Sequence, residues 1–112
     1  MGQGETLQRE ASESPGKIVR LRWSLPAVEQ LHEIFDYIAD ENAAAALRSI
    51  QRIRLSVRQA SRMPYAGRVG RVAGTREVNV PGTSYIVAYR VLEDASHVLA
   101  VLHGARQWPE SF

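Results

Sequence analysis

The chain has 112 residues, a formal net charge of +2, 45% hydrophobic and 23% charged residues, and no cysteine. That length holds one domain core, and the missing thiols exclude disulfides, CxxC redox centres, thiolate metal sites and a cysteine nucleophile. The longest apolar runs, such as Val98 to Leu102, are five residues, too short to cross a bilayer. The polar start Met1-Gly2-Gln3-Gly4-Glu5 is no signal peptide, so the expected compartment is the cytoplasm.

The charge is unevenly placed. Thirteen of the fourteen cationic residues are arginine, and the isoelectric point is about 9.4. Residues 24–47 carry −5 with no Lys or Arg, whereas residues 48–90 carry +8, nine arginines against the single Glu77. The arrangement fits first a dipolar domain that stays dissolved, and second a surface for an acidic partner, either nucleic acid or protein. Arginine forks match phosphates and carboxylates bidentately.

In chain order, residues 1–16 hold one large apolar group, Leu7, and read as a disordered tail. The domain is expected over 17–112. Lys17 to Trp23 alternates Ile18, Arg20 and Arg22 against Val19, Leu21 and Trp23, the period of a strand. Ser24 caps a helix that carries Pro26 in its first turn. Val28, Leu31, Ile34, Phe35 and Ile38 share one face of it, and Glu29, Glu33, Asp36 and Asp40 the other. Asn42 caps a second helix over 43–62, which packs as an antiparallel hairpin with the first. Its apolar arc is Ala43, Ala46, Ile50, Ile53, Val57 and Ala60. Its other arc holds Arg48, Arg52, Arg54, Arg58 and Arg62, with Leu55 projecting among them. Exposed leucines are common, but one ringed by arginine is also a candidate anchor for a partner.

Residues 63–73 read as a loop, with Gly67, Gly70, Arg68 and Arg71. It matches neither a P-loop nor a dinucleotide fingerprint. Three antiparallel strands follow, 75–80, 84–92 and 97–103, joined by Pro81-Gly82-Thr83 and by Glu93-Asp94-Ala95-Ser96. The last two are apolar on both faces, so the face away from the helices needs a cover from the C-terminal segment or a partner. The fold class is α+β, a helix hairpin on a mainly antiparallel sheet of about four strands. His32 and His97 read as surface residues. His103, with Arg106 close by, is a candidate acid–base group, and Trp108 either stacks a base or packs on the sheet. No cofactor or metal is expected.

This order of elements resembles the RelE/ParE toxin superfamily of bacterial toxin–antitoxin modules. The similarity runs over residues 18–109. It rests on Phe35 to Ala39, on Met63-Pro64 with Gly67-Arg68, on Gly74 to Glu77, on Val80 to Thr83 with Tyr85 to Val91, and on Val101 to Arg106. RelE-like members are ribosome-dependent messenger RNA endonucleases, and ParE-like members inhibit DNA gyrase. The nuclease's cationic and tyrosine positions correspond here to Glu77, Asn79, Ile86, Arg106 and Phe112, and only Arg106 keeps the chemistry. The resemblance therefore implies a ParE-like toxin that blocks gyrase by binding and is neutralised by a ParD-like ribbon-helix-helix antitoxin, through which it associates with DNA. Its target contacts are expected among Arg68, Arg71, Arg76, Arg90, Arg106 and Trp108, and its antitoxin contacts among Arg48, Arg52, Leu55, Arg58 and Arg62. The alternatives are a nuclease relying on Arg71, Arg90, His103 and Arg106, or a non-toxic domain acting only in an antitoxin co-repressor complex.

Overall fold

The computed structural model describes residues 20–112, so the expected tail over 1–16 and the first three residues of the N-terminal strand lie outside it. Strand β1 (Arg20–Trp23) leads into helix α1 (Leu25–Ala39) and helix α2 (Ala43–Arg62). A single 3₁₀ turn (Pro64–Ala66) and strands β2 (Arg68–Val69), β3 (Arg76–Asn79), β4 (Tyr85–Leu92) and β5 (Ala95–His103) follow. The sheet has five strands in the order β1-β5-β4-β3-β2. It exceeds the expected four because the segment read as a loop contributes β2, whose two residues pair with Arg76 and Glu77. A two-residue strand has no period to betray it.

Both helix starts follow from their caps. The Ser24 hydroxyl accepts from the Ala27 N–H at 3.2 Å, and the Asn42 side chain from the Ala45 N–H at 2.9 Å. Each satisfies a donor that the first turn leaves orphaned. One layer of core lies between the helices and the sheet. It gathers Ala27, Ile34, Ile53, Val57, Val80, Val87, Val98 and Val101, with Trp23, Leu31, Ile38 and Ile50 packed around them. Ala43, expected in the apolar arc, is exposed at the first turn of α2.

Strand β1 runs parallel to β5, its first residue opposite Ala95 and its last opposite Val98. Beyond Val98 no strand of the described residues covers that edge of β5, and α1 supplies partners there. The Val101 N–H donates to Gln30 Oε1 at 2.8 Å, and the Ser24 hydroxyl donates to the Leu99 carbonyl at 3.3 Å. Leu99 is an extra residue, because Ala88 pairs with Ala100 while Tyr89 pairs with Val98. This bulge lets Val98 and Val101, three apart, face the same core. The β4–β5 turn is tighter than expected. Leu92 pairs with Ala95, leaving only Glu93 and Asp94 in the turn, at φ 50° and 66°. Positive φ at both residues is what a twisted two-residue hairpin requires.

Tyr89 fastens the connection after α2 to the sheet. It is buried, and its hydroxyl donates to the Pro64 carbonyl at 2.6 Å. Burial pushes its phenol up. A Cβ on Gly67 would run into that hydroxyl and stand 3.1 Å from the Glu77 carbonyl. Gly67→Ala is therefore expected to cost about 1–3 kcal/mol through overpacking. In a Tyr89→Phe background the same change should cost less, since the hydroxyl it meets is gone. Denaturant unfolding of the four variants measures the coupling, and strict additivity would show that the close approach has no energetic weight.

Candidate functional site

The face of the sheet away from the helices is built around Glu77. Its side chain is 2% exposed, the one acid among nine arginines between residues 48 and 90. Oε1 accepts from Arg68 Nη2 at 3.0 Å and Arg71 Nη2 at 3.3 Å. Oε2 accepts from the Arg71 backbone N–H at 2.8 Å and Arg71 Nε at 3.2 Å. Burial alone would raise this carboxyl. The Arg71 N–H, the Arg71 guanidinium and Arg68 outweigh it and hold the group below the usual carboxylate range.

Arg71 carries the next layer. Its guanidinium lies 4.0 Å from the centre of the Trp108 ring, a cation–π contact. Trp108 covers Ala88, Ala100 and Leu102, and Phe112 meets it edge-on at 6.2 Å. The C-terminal segment is thus the cover that the doubly apolar strands demand. The indole Nε1 is buried and among the described residues has no hydrogen-bond partner.

The remaining expected residues scatter. Arg76 Nη1 donates to the carbonyls of Tyr65 and Gly67 at 3.2 and 2.8 Å, and the guanidinium sits over the Tyr65 ring. Arg90 Nε makes a long contact, 3.4 Å, to the Gly74 carbonyl. His103 is exposed. Its ring meets Tyr85 edge-on at 5.7 Å, and its Nδ1 accepts from the Ala105 N–H at 3.1 Å. Burial pushes the Tyr85 phenol up, and nearby Tyr37 adds to the effect. Arg106 is exposed, and among the described residues its guanidinium has no partner. Tyr85 pairs with His103, and Arg90 lies five residues further along β4, about 17 Å at the strand rise. The quartet Arg71, Arg90, His103 and Arg106 is not one site.

On α2, Arg48, Arg52, Leu55, Arg58 and Arg62 are all exposed, Leu55 by 55%. Leu55 borders an open depression of about 380 Å³ with Arg52, Ser56, Gln59, Pro81 and Gly82. Arg52 Nη1 donates to the Gly82 carbonyl at 3.3 Å, tying α2 to the β3–β4 turn. Among the described residues no three His, Cys, Asp or Glu side chains cluster as metal ligands, and no helix is long and apolar enough to cross a membrane.

Sequence reasoning placed Glu77 but missed its role as the buried hub; a lone carboxylate in so basic a stretch was the available signal. Because its pKa is lowered on folding, its contribution is present above the unfolded carboxylate value of about 4.3 and drains away as pH falls below it towards the folded value. Glu77→Gln should cost about 1.5–3 kcal/mol at neutral pH, the worth of charged hydrogen bonds, and should flatten the acid limb of stability against pH. Thermal unfolding across that limb is the measurement, and an unchanged limb would place the acid sensitivity elsewhere.

Residues 21–108 match the family model described as the ParE toxin of the type II toxin–antitoxin system parDE. A protein of Sinorhizobium fredii named "Putative toxin Y4kP" is 38% identical over 91 residues, covering 81% of this chain and 94% of that one. The fold is similar to a solved chain described as the chromosomal ParDE TA system from P. aeruginosa, with a TM-score of 0.68 at 23% identity, over 74% of this chain and 92% of that one. A family match over most of the described domain, joined to a toxin relative at that identity and coverage, places this chain in the ParE toxin family of type II toxin–antitoxin systems.

Proposed function

We propose that the protein acts by binding rather than by cutting RNA, that its target is DNA gyrase in the bacterial cytoplasm, and that a ribbon-helix-helix antitoxin neutralises it. The observation that carries this reading is the state of Glu77. Transesterification through a 2′-hydroxyl needs a base, an acid and cations for the phosphorane charge. At the positions where nuclease-type members of the superfamily carry cations, this chain has a buried carboxylate, Asn79 and a buried Ile86. The two nearest arginines are committed to that carboxylate.

The purified chain is expected to inhibit gyrase-driven supercoiling of relaxed plasmid and to accumulate gyrase-linked DNA breaks, while messenger RNA in a translating extract stays whole. RNA cleavage abolished by Arg106→Ala or His103→Ala would reverse the reading in favour of the nuclease.

The antitoxin arm is assigned to the exposed face of α2, where Leu55 offers an apolar anchor inside a ring of arginines. Burying that leucine contributes about 1.5–3 kcal/mol, whereas the rim arginines act mainly on association. Leu55→Ala should speed antitoxin dissociation with little salt dependence and leave the toxin's melting temperature unchanged. Arg58→Ala should slow association and lose its effect at high salt. Surface plasmon resonance at two ionic strengths separates them, and a Leu55→Ala variant that melts early but binds normally would return the leucine to the core.

A further inference from the structure

The sheet register places two arginines and a histidine in a row outside the Glu77 cluster, with Arg90 also making the long contact to the Gly74 carbonyl. Arg22 of β1 stands beside His97 of β5, and His97 beside Arg90 of β4. Strands lie about 4.8 Å apart, so the three side chains stand abreast within about 10 Å. All three project from the outer face, because Trp23, Val98 and Tyr89, their next neighbours in each strand, turn inwards. Arg20 adds a further cation two residues back on β1.

Among the described residues the salt bridges are confined to Arg68 and Arg71 on Glu77. The row is paired with no carboxylate among the described residues, and Glu93 and Asp94 occupy the turn past Leu92. Two arginines on one face with no acid paired to them among the described residues leave positive potential there that an external anion would offset.

We propose that Arg22, His97 and Arg90 form a contact for the phosphate backbone of a nucleic acid. The surroundings favour this over an acidic protein. A protein interface needs a desolvated apolar centre with aromatic anchors. Here the part of the face that no described residue covers presents arginine, histidine and small residues, with Leu92 at its margin and Trp108 already seated elsewhere. Phosphate contacts need charge and donors alone. The α2 face, where leucines stand among the arginines, has the opposite character.

The test is fluorescence anisotropy of the full chain with a labelled DNA duplex of arbitrary sequence and, in parallel, a single-stranded RNA of equal charge, from about 50 to about 200 mM salt. The tighter of the two identifies the source of the phosphates. Two or three contacts predict a slope of log affinity on log salt near −2 to −3. Arg22→Gln with Arg90→Gln should lower that slope by about 2 and weaken binding about fivefold or more. Arg48→Gln with Arg58→Gln removes equal charge from α2 and should leave the slope intact. Equal losses from both pairs, no salt-dependent binding by the natural chain, or displacement by poly-glutamate at equal charge each overturn the proposal. Should the row variant fail to fold, amide resonances of the natural chain decide: shifts centred on Arg22, Arg90 and His97 support the site, and shifts centred on α2 refute it.

Discussion

A buried carboxylate organises half of this molecule. Glu77 gathers four donors from β2 and the following loop, and without them its burial would be strongly unfavourable. The consequences run outward in order. Arg68 is drawn onto the sheet edge, so a two-residue strand forms there. The Arg71 guanidinium is fixed flat, which gives Trp108 a cationic plate to lie on. Trp108 then shields Ala88, Ala100 and Leu102, and Phe112 closes over the indole. A chain whose central strands are apolar on both sides thereby obtains its second cover from its own C-terminal segment.

The same interaction sets how much charge this face presents. Arg68 and Arg71 share the single negative charge of Glu77, and Ile86 on β4 is apolar and buried. What remains accessible is dispersed. Arg106 and His103 lie at one end of the β4–β5 hairpin and Arg90 towards the other, an arrangement suited to gripping an extended partner rather than to concentrating charge on one reacting atom.

Much of the architecture was legible in the residues because caps and periodicity act locally. Asn42 and the arginine-against-alanine arcs define α2 from Ala43 to Arg62, and Ser24 with Pro26 does the same for the start of α1. What escaped depends on tertiary pairing. β2 is too short to show a period. The bulge at Leu99 exists because two valines three apart must reach one core. The exposure of Ala43 reflects its place in the first turn, before α2 meets the sheet. At the candidate site, composition identified the arginines but not which of them a buried acid would claim. That Leu55 lies open was visible from its place in the helical wheel, whereas the abreast row of Arg22, His97 and Arg90 required the register of a parallel pair some seventy residues apart.

That parallel pair also bears on how the chain comes into being. β5 follows the other described strands in sequence, yet it lies between β1 and β4, and among the described residues β1 has no other neighbour in the sheet. As the polypeptide emerges from the ribosome, the first strand and the helix hairpin must wait with their apolar faces unmatched until the final strand is synthesised. The β3–β4 hairpin can form early, since its contacts are short in sequence, but the core cannot close around it. Every surface that depends on the finished sheet is thus withheld until β5 has been made. Until then the apolar faces of the helix hairpin have no sheet to cover them.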